Sequence, residues 1–159
     1  MKKTNTIQAK INGICYLLNP GNNTAEVAPS EEKYAGTIET PMQVTNDGVI
    51  YRVTSIGQGA FKHCTVLTSV TIPDSVTNIG AAAFWWCTSL EAVNIPDSVT
   101  AIEMMAFGVC VKLKSITLPK IIEKINFRNF MYSGLESITI PESVKTIEGM
   151  AFSGCEKLK

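Results

Sequence analysis

The sequence predicts an α/β repeat solenoid, a fold in which short units of nearly equal length stack on one another. Three observations predict it. A motif built around Ala-Phe returns at a fixed interval, an alternating apolar and polar stretch follows nearly every copy, and each stretch ends at proline. The chain is also rich in Ile, Val and Thr, whose β-branched side chains fit pleated strands better than helices.

Each repeat opens with the motif Ile-x-x-x-Ala-Phe. The motif returns every 23 residues, except that the last interval is 22 because one residue is missing between Phe130 and Leu135. The repeats therefore occupy residues 56–159 as about four and a half copies, of which the last is incomplete. The opening isoleucines are Ile56, Ile79, Ile102, Ile125 and Ile147.

The alternating stretch of each repeat predicts a β-strand in a parallel sheet. In Leu67-Thr-Ser-Val-Thr-Ile-Pro73, Val70 and Ile72 alternate with polar residues, so the apolar side chains face inward and the polar ones outward. Stacked copies would place the outward residues in a ladder with strands about 4.8 Å apart. This predicted binding surface, called the sheet face below, consists of Ser69, Thr71, Ala92, Asn94, Ser115, Thr117, Ser137 and Thr139.

The remainder of each repeat returns the chain to the next strand. Proline ends the strand because it has no N–H to give to the ladder. The apolar spacing of three in Ala-Phe-x-x-Cys-x-x-Leu predicts a short helical or 3₁₀ turn. The phenylalanines of successive repeats should then stack in the core, at Phe61, Phe84, Phe107, Phe130 and Phe152.

Cysteines recur three residues after most of these phenylalanines, at Cys64, Cys87, Cys110 and Cys155. A column of cysteines could hold free thiols, disulfides or a metal. The long spacing is unlike the Cys-x₂₋₄-Cys pairs of metal sites, and the equivalent position Ser133 indicates a small buried filler. The sequence therefore favours buried free thiols and no metal, whereas Cys15 stands outside the column.

Residues 1–55 are predicted to form a β-rich N-terminal cap. Two strand-like stretches, 11–18 and 24–27, flank a turn-rich segment and read as a β-hairpin. The segment 34–41 copies the strand–proline ending, so it is a candidate degenerate first repeat. The C-terminal end shows no comparable cap. The missing C-terminal cap has three possible explanations: a truncated chain, a longer parent protein, or pairing of two copies as a homodimer.

The sequence offers little sign of catalysis, and no cofactor is expected. His63 lies beside Cys64, but adjacent residues of a repeat point in different directions, so a nucleophilic pair is disfavoured. Trp85 and Trp86 fill two variable positions between phenylalanine and cysteine. They either pack against neighbouring repeats or provide an aromatic anchor for a partner.

Charge and hydropathy exclude further classes of function. The formal net charge is zero, which argues against a nucleic-acid binder that relies on positive charge. No apolar run approaches the length of a membrane span, and the start of the chain lacks the apolar region of a secretory signal.

The unit Ile-x-x-x-Ala-Phe-x-x-Cys-x-x-Leu-x-x-Val-x-Ile-Pro-x-Ser-Val resembles the BspA-like leucine-rich repeat. The resemblance covers residues 56–159, and residues 12–56 resemble the entry segment of such proteins. It implies a right-handed superhelix and a bacterial protein that is secreted or displayed on the cell surface, in some members for adhesion. The repeat departs from the pattern at Ile121, Asn129 and Ser133, where the stack is expected to bend locally.

We therefore expect a non-enzymatic leucine-rich-repeat module that binds a protein or a glycan through its sheet face. The alternative is a structural scaffold or spacer that displays another domain of a longer repeat protein. An enzyme is the least favoured reading, because no catalytic constellation accompanies the repeats.

Overall fold

The structure, a computed structural model, describes residues 6–159. Within that range the chain forms twelve strands arranged in three sheets, and no helix. The strands are β1 (Ile7–Ile11), β2 (Ile14–Asn19), β3 (Thr24–Val27), β4 (Gly36–Glu39), β5 (Gln43–Asn46), β6 (Val49–Ile56), β7 (Leu67–Thr71), β8 (Asn78–Ile79), β9 (Ala92–Asn94), β10 (Ala101–Ile102), β11 (Lys124–Ile125) and β12 (Thr146–Ile147).

The N-terminal region is an antiparallel meander that joins the repeats through a parallel contact. β2 and β3 form the hairpin that the sequence predicts, and β1 adds a further antiparallel strand. Asn12 and Gly13 connect β1 to β2 with left-handed backbone, as a two-residue hairpin turn requires. β3 then pairs in parallel with β6, so the first sheet continues from the meander into the repeats.

The second sheet carries the alternating stretches of the first repeats. β4, β7 and β9 pair in parallel, with Ile38, Val70 and Val93 in register. Segment 34–41 therefore contributes a strand to the same sheet as the repeats. We count the stacked units from their leucines as unit 1 (67–89), unit 2 (90–112), unit 3 (113–134) and unit 4 (135–159).

The core is a column of phenylalanine rings. Phe61 and Phe84 stack with centroids 5.0 Å apart, Phe84 and Phe107 at 5.1 Å, Phe107 and Phe130 at 5.8 Å, and Phe130 and Phe152 at 5.4 Å. These rings are nearly parallel, and the first four are fully buried. Tyr34 tilts against Phe61 and closes the N-terminal end of the column. The predicted stacking of like residues is confirmed.

The predicted helical or 3₁₀ turns are wrong. In the Ala-Phe segment, alternate backbone amides donate to the next unit, from Phe61 to O of Ala83 at 2.8 Å and from His63 to O of Trp85 at 2.9 Å. Only the amides between them bond locally, so no helical ladder forms. The segment is instead a run of β-turns, and the described fold is β-rich, without the α component of the predicted class.

The parallel sheets are also interrupted, which corrects the prediction of a continuous sheet face. No strand occupies 113–118 or 135–140, and neither β9 nor β10 pairs with unit 3. In the other units, a backbone amide donates a hydrogen bond to the carbonyl of the opening isoleucine in the preceding repeat, whereas unit 3 has no such bond. The Asn126 side chain donates to O of Ile102 at 2.7 Å instead. We call this junction between units 2 and 3 the seam.

Asn129 stabilises the seam from the buried side. It occupies the position of the repeat alanine and is buried. With its side-chain nitrogen turned toward O of Glu103, its oxygen accepts a hydrogen bond from the backbone amide of Asn126 at 3.2 Å. Two asparagine side chains thus replace one rung of the backbone ladder, and the wider Phe107–Phe130 spacing lies at the same junction.

Candidate binding surfaces

The sheet face predicted from the sequence is exposed along the units. Its residues are exposed except Ser69, which is half-buried. Val70 and Ile116 on the opposite side of the same stretches are buried. The alternation of inward apolar and outward polar residues is thus present in unit 3 without a regular strand. In unit 4 it is incomplete, because Ile140, which should face inward, is 37% exposed.

The polar groups of the sheet face are free to bind another molecule. Within residues 6–159, none of its hydroxyl or amide side chains makes a hydrogen bond inside the protein. Threonines elsewhere behave differently. Thr100, for example, donates its hydroxyl to O of Thr77 at 3.1 Å in the neighbouring unit. A surface of unpaired hydroxyls and an amide can exchange its water for the polar groups of a ligand.

The structure extends this surface beyond the predicted residues. Thr37 and Glu39 on β4 pair in register with Ser69 and Thr71, and both are exposed. The strand–proline ending of segment 34–41 is the signal that could have found them. At the other end, the seam interrupts the backbone ladder between Asn94 and Thr117, so the sheet face has an ordered N-terminal part and a less regular C-terminal part.

A column of alternating charges flanks the sheet face. Glu91, Lys114 and Glu136 follow the leucines of units 2, 3 and 4. Lys114 Nζ lies 3.7 Å from a carboxylate oxygen of Glu136, and both side chains are largely exposed. Such an exposed pair contributes little to stability, and the column places both signs of charge beside the sheet face.

The two tryptophans have different environments. Trp85 packs over Gly108 of the next unit so closely that any Cβ at that glycine would collide with the indole. The side chain of Trp86 is 45% exposed, and its ring lies 5.8 Å from the ring of His63. Trp85 therefore packs between units, whereas Trp86 remains available as the aromatic anchor that the sequence suggested.

The cysteine column consists of free thiols. Cys64, Cys87 and Cys110 are buried, and Cys155 is half-buried. Cys87 Sγ donates to O of Phe61 at 3.0 Å, and Cys110 Sγ donates to O of Phe84 at 3.2 Å. Burial raises the pKa of the Cys87 thiol to about 12 and raises the pKa values of Cys64 and Cys110 as well. These thiols join adjacent units by hydrogen bonds and stay protonated.

No group of three or more His, Cys, Asp or Glu side chains between residues 6 and 159 is arranged to hold a metal ion. In the same part of the chain, no helix has the length and apolarity needed to cross a membrane.

Comparison with known proteins gives a consistent picture. A family model described as the BspA type leucine rich repeat region matches residues 44–159 in six copies. A leucine-rich repeat protein from Bacteroides ovatus is similar in structure, with a TM-score of 0.89 and 39% sequence identity over 94% of this chain and 39% of that one. No curated protein matches the chain.

Two other solved structures are similar. The T. pallidum leucine rich repeat protein has a TM-score of 0.80 and 32% identity, over 90% of this chain and 65% of that one. A leucine rich cell surface protein from Faecalibacterium prausnitzii has a TM-score of 0.63 and 28% identity, over 96% of this chain and 53% of that one. The chain thus spans less than two thirds of the length of the B. ovatus and T. pallidum proteins.

Proposed function

Since this chain belongs to the BspA-type leucine-rich repeat family, we propose that it is a non-enzymatic module that binds a protein or a glycan through the sheet face. The observation that carries the proposal is the exposed ladder of hydroxyl and amide groups that have no partner inside the described chain. The parallel register of β4, β7 and β9 spaces these groups regularly in the N-terminal part of the sheet face, so that many weak hydrogen bonds can act together on an extended ligand.

The architecture that we infer for the binding module is a right-handed superhelical solenoid. The stacked phenylalanines and the parallel register of β4, β7 and β9 support it. A location on the cell surface or outside the cell, with a role in adhesion, is part of the same proposal. Its support is the likeness to the F. prausnitzii leucine rich cell surface protein.

The absence of catalysis is supported by the surroundings of the His63–Cys64 pair. A nucleophilic cysteine needs a lowered pKa and access to substrate. Burial raises the pKa of Cys64, and the ring of His63 lies beside Trp86. The two neighbours in sequence therefore lack the environment that would activate a thiolate.

Substitution of the sheet face tests the proposed function. We would replace Thr71, Asn94, Thr117 and Thr139 together with Glu and measure binding to an immobilised panel of glycans and purified extracellular-matrix proteins. The wild-type chain should bind at least one member of the panel, and the variant should lose that binding, because four carboxylates repel acidic groups and add bulk. The variant should still unfold in one cooperative transition, since all four side chains are exposed, although repulsion between carboxylates on neighbouring strands should lower its midpoint.

A matched variant controls for the added charge. Glu replaces four exposed hydroxyl residues outside the sheet face whose side chains make no hydrogen bond within the described chain, namely Thr45, Thr65, Thr146 and Ser153. This control should bind as the wild type does. Equal binding by the sheet-face variant and the wild type would remove the sheet face from consideration.

The alternative function is a scaffold or spacer within a longer repeat protein. Unit 4 has an exposed apolar surface, since Ile147 is 51% exposed although its equivalents Ile79 and Ile102 are buried. A scaffold would use this surface to pack against a neighbouring unit or domain. A wild-type chain that binds nothing in the panel would favour the spacer.

A homodimer through the same surface stays a prediction. Two copies could bury Ile140, Ile147 and Met150 against each other, since all three are exposed. Light scattering after size-exclusion chromatography should then give twice the monomer mass for the wild type and the monomer mass for Ile147→Glu. A monomeric wild type would exclude the dimer.

A further inference from the structure

A second surface of distinct composition lies where three consecutive units turn after their opening isoleucines. Four apolar side chains and one arginine lie in these turns. Met105 donates its backbone amide to O of Phe127 at 3.0 Å, which places the turns of units 2 and 3 side by side. We call this surface the Met–Arg patch, and it consists of Met104, Met105, Phe127, Arg128 and Met150.

The patch is unusually apolar for this part of the fold. Met104 and Met150 are 44% and 54% exposed, and Phe127 is half-buried. The two preceding copies of the turn carry only small or polar residues at these positions, Gln58-Gly59 and Ala81-Ala82. Methionine, aromatic residues and arginine are enriched in protein–protein interfaces, and methionine adapts its shape to different partners.

Arg128 is the centre of the patch and lacks an acidic partner. Its guanidinium carbon lies 4.7 Å from the centroid of the Phe127 ring. Six lysines of the described chain form ion pairs with carboxylates, whereas Arg128 forms none. Its Nε is buried and has no hydrogen-bond acceptor. A buried donor left unsatisfied is costly, so the acceptor for this Nε must come from solvent or from another molecule.

We propose that the Met–Arg patch docks a segment of a partner protein that presents a carboxylate flanked by apolar side chains. The carboxylate would accept two hydrogen bonds from the planar guanidinium, which the Phe127 ring holds in a fixed orientation. The flexible methionines would shift so that the carboxylate reaches Nε, and they would pack against the apolar side chains that flank the carboxylate in the partner. Charge complementarity selects an acidic segment, because Arg128 has no ion pair and the neighbouring carboxylate of Glu148 is already held by Lys124 and by the backbone amide of Phe127.

The patch is independent of the sheet face. It occupies the turn after the Ile strand, whereas the sheet face occupies the stretch after leucine in the same units. The proposal therefore adds a second recognition surface of different chemistry and does not rest on the first.

Panning a phage-displayed library of random dodecapeptides against the full chain tests the proposal. Enriched peptides should carry Asp or Glu next to Leu, Ile, Phe, Trp or Met. The most enriched sequence would then be synthesised and titrated by fluorescence anisotropy against the wild type and its variants. Arg128→Gln should weaken binding at least tenfold, and Met150→Asp should weaken it by a similar factor through loss of apolar contact and repulsion.

Three controls make the result specific. Arg52→Gln removes another exposed arginine, on β6, and should leave the affinity unchanged. The variant with four Glu residues on the sheet face should also keep the peptide affinity, which separates this proposal from the proposed function. A cooperative thermal transition above the temperature of the binding assay establishes that each variant is folded. An absence of enriched peptides, enrichment without acidic residues, or equal affinity for Arg128→Gln would overturn the proposal.

Discussion

At the scale of single residues, the turns depend on left-handed backbone at positions that carry side chains. Each Ala-Phe segment has two such residues, and only Gly59 and Gly154 among them are glycine. His63, Trp86 and Tyr132 adopt φ near +60° at equivalent positions, as does Val109 at +60°. A β-branched residue is the least suited to this conformation, because its Cβ substituents crowd the backbone.

Val109→Gly should therefore stabilise the protein. Relief of the left-handed strain outweighs the loss of a half-buried side chain, so we expect the free energy of unfolding to rise by up to about 1 kcal/mol. Urea denaturation followed by circular dichroism measures the change. Val111→Gly is the matched control, since Val111 has no positive φ and should lose stability when replaced. Equal losses in both variants would contradict the strain argument.

The buried thiols predict how stability depends on pH. Burial raises the pKa of Cys87 from an ordinary value of 9.0 to about 12 and also raises that of Cys110. Between these values the unfolded chain releases the thiol proton and the folded chain retains it. The free energy of unfolding should thus be unaffected by these thiols below about pH 9 and should fall as pH rises from 9 toward 12.

Cys87→Ser removes the titrating thiol and so measures its contribution. The fold should tolerate serine there, because Ser133 occupies the equivalent position in unit 3 and is also buried. Stability of the variant, followed by urea denaturation, should fall less steeply across the alkaline range than that of the wild type. Identical slopes for the two proteins would show that Cys87 ionises in the folded state as readily as in the unfolded chain.

At the scale of elements, the seam is the point where the stacked ladders are interrupted. β10 and β11 occupy equivalent positions in units 2 and 3 and are not paired with each other. The ladder bonds that join β8 to β10 are therefore missing between β10 and β11. We expect the seam to open at lower free energy than the other junctions, since local stability follows the number of protected hydrogen bonds.

Hydrogen exchange with mass spectrometry tests the seam. Peptides covering β11 should exchange faster than peptides covering β8. Asn126→Glu combined with Asn129→Ala gives unit 3 the Glu and Ala of Glu103 and Ala106, so it should restore the backbone ladder and slow exchange at β11. If the double variant exchanges as fast as the wild type, the two asparagines are not the cause of the interruption.

The sequence predicts the strands and the core better than the turns. The 23-residue period alone aligns the phenylalanines, and alternation in the first repeats assigns the two faces of β7 and β9. Apolar spacing of three is shared by a helical turn and by the observed chain of β-turns. The two structures differ only in the acceptors of the backbone amides, and half of those acceptors lie in the neighbouring unit. Asn129 replaces the alanine of the repeat and so marks the seam in the sequence. The loss of pairing between β10 and β11 depends on contacts between units, so only the structure shows it.

At the scale of the whole molecule, the sheet face could be predicted because its residues repeat. Its extension to Thr37 and Glu39 was less visible, since segment 34–41 retains only the strand–proline ending. The Met–Arg patch could not be predicted, because its residues vary between repeats. Only the structure shows that Arg128 lies over Phe127 and leaves Nε without a partner.

The central claim is that ligands bind across the exposed polar ladder of the stacked units. Its most direct test is an NMR titration of the ¹⁵N-labelled chain with the best-binding member of the glycan and matrix-protein panel. Amide shift changes should concentrate on β4, β7 and β9 and on their equivalents around Thr117 and Thr139. Changes confined to the Ala-Phe turns, with the amides of β7 and β9 unmoved, would contradict the account.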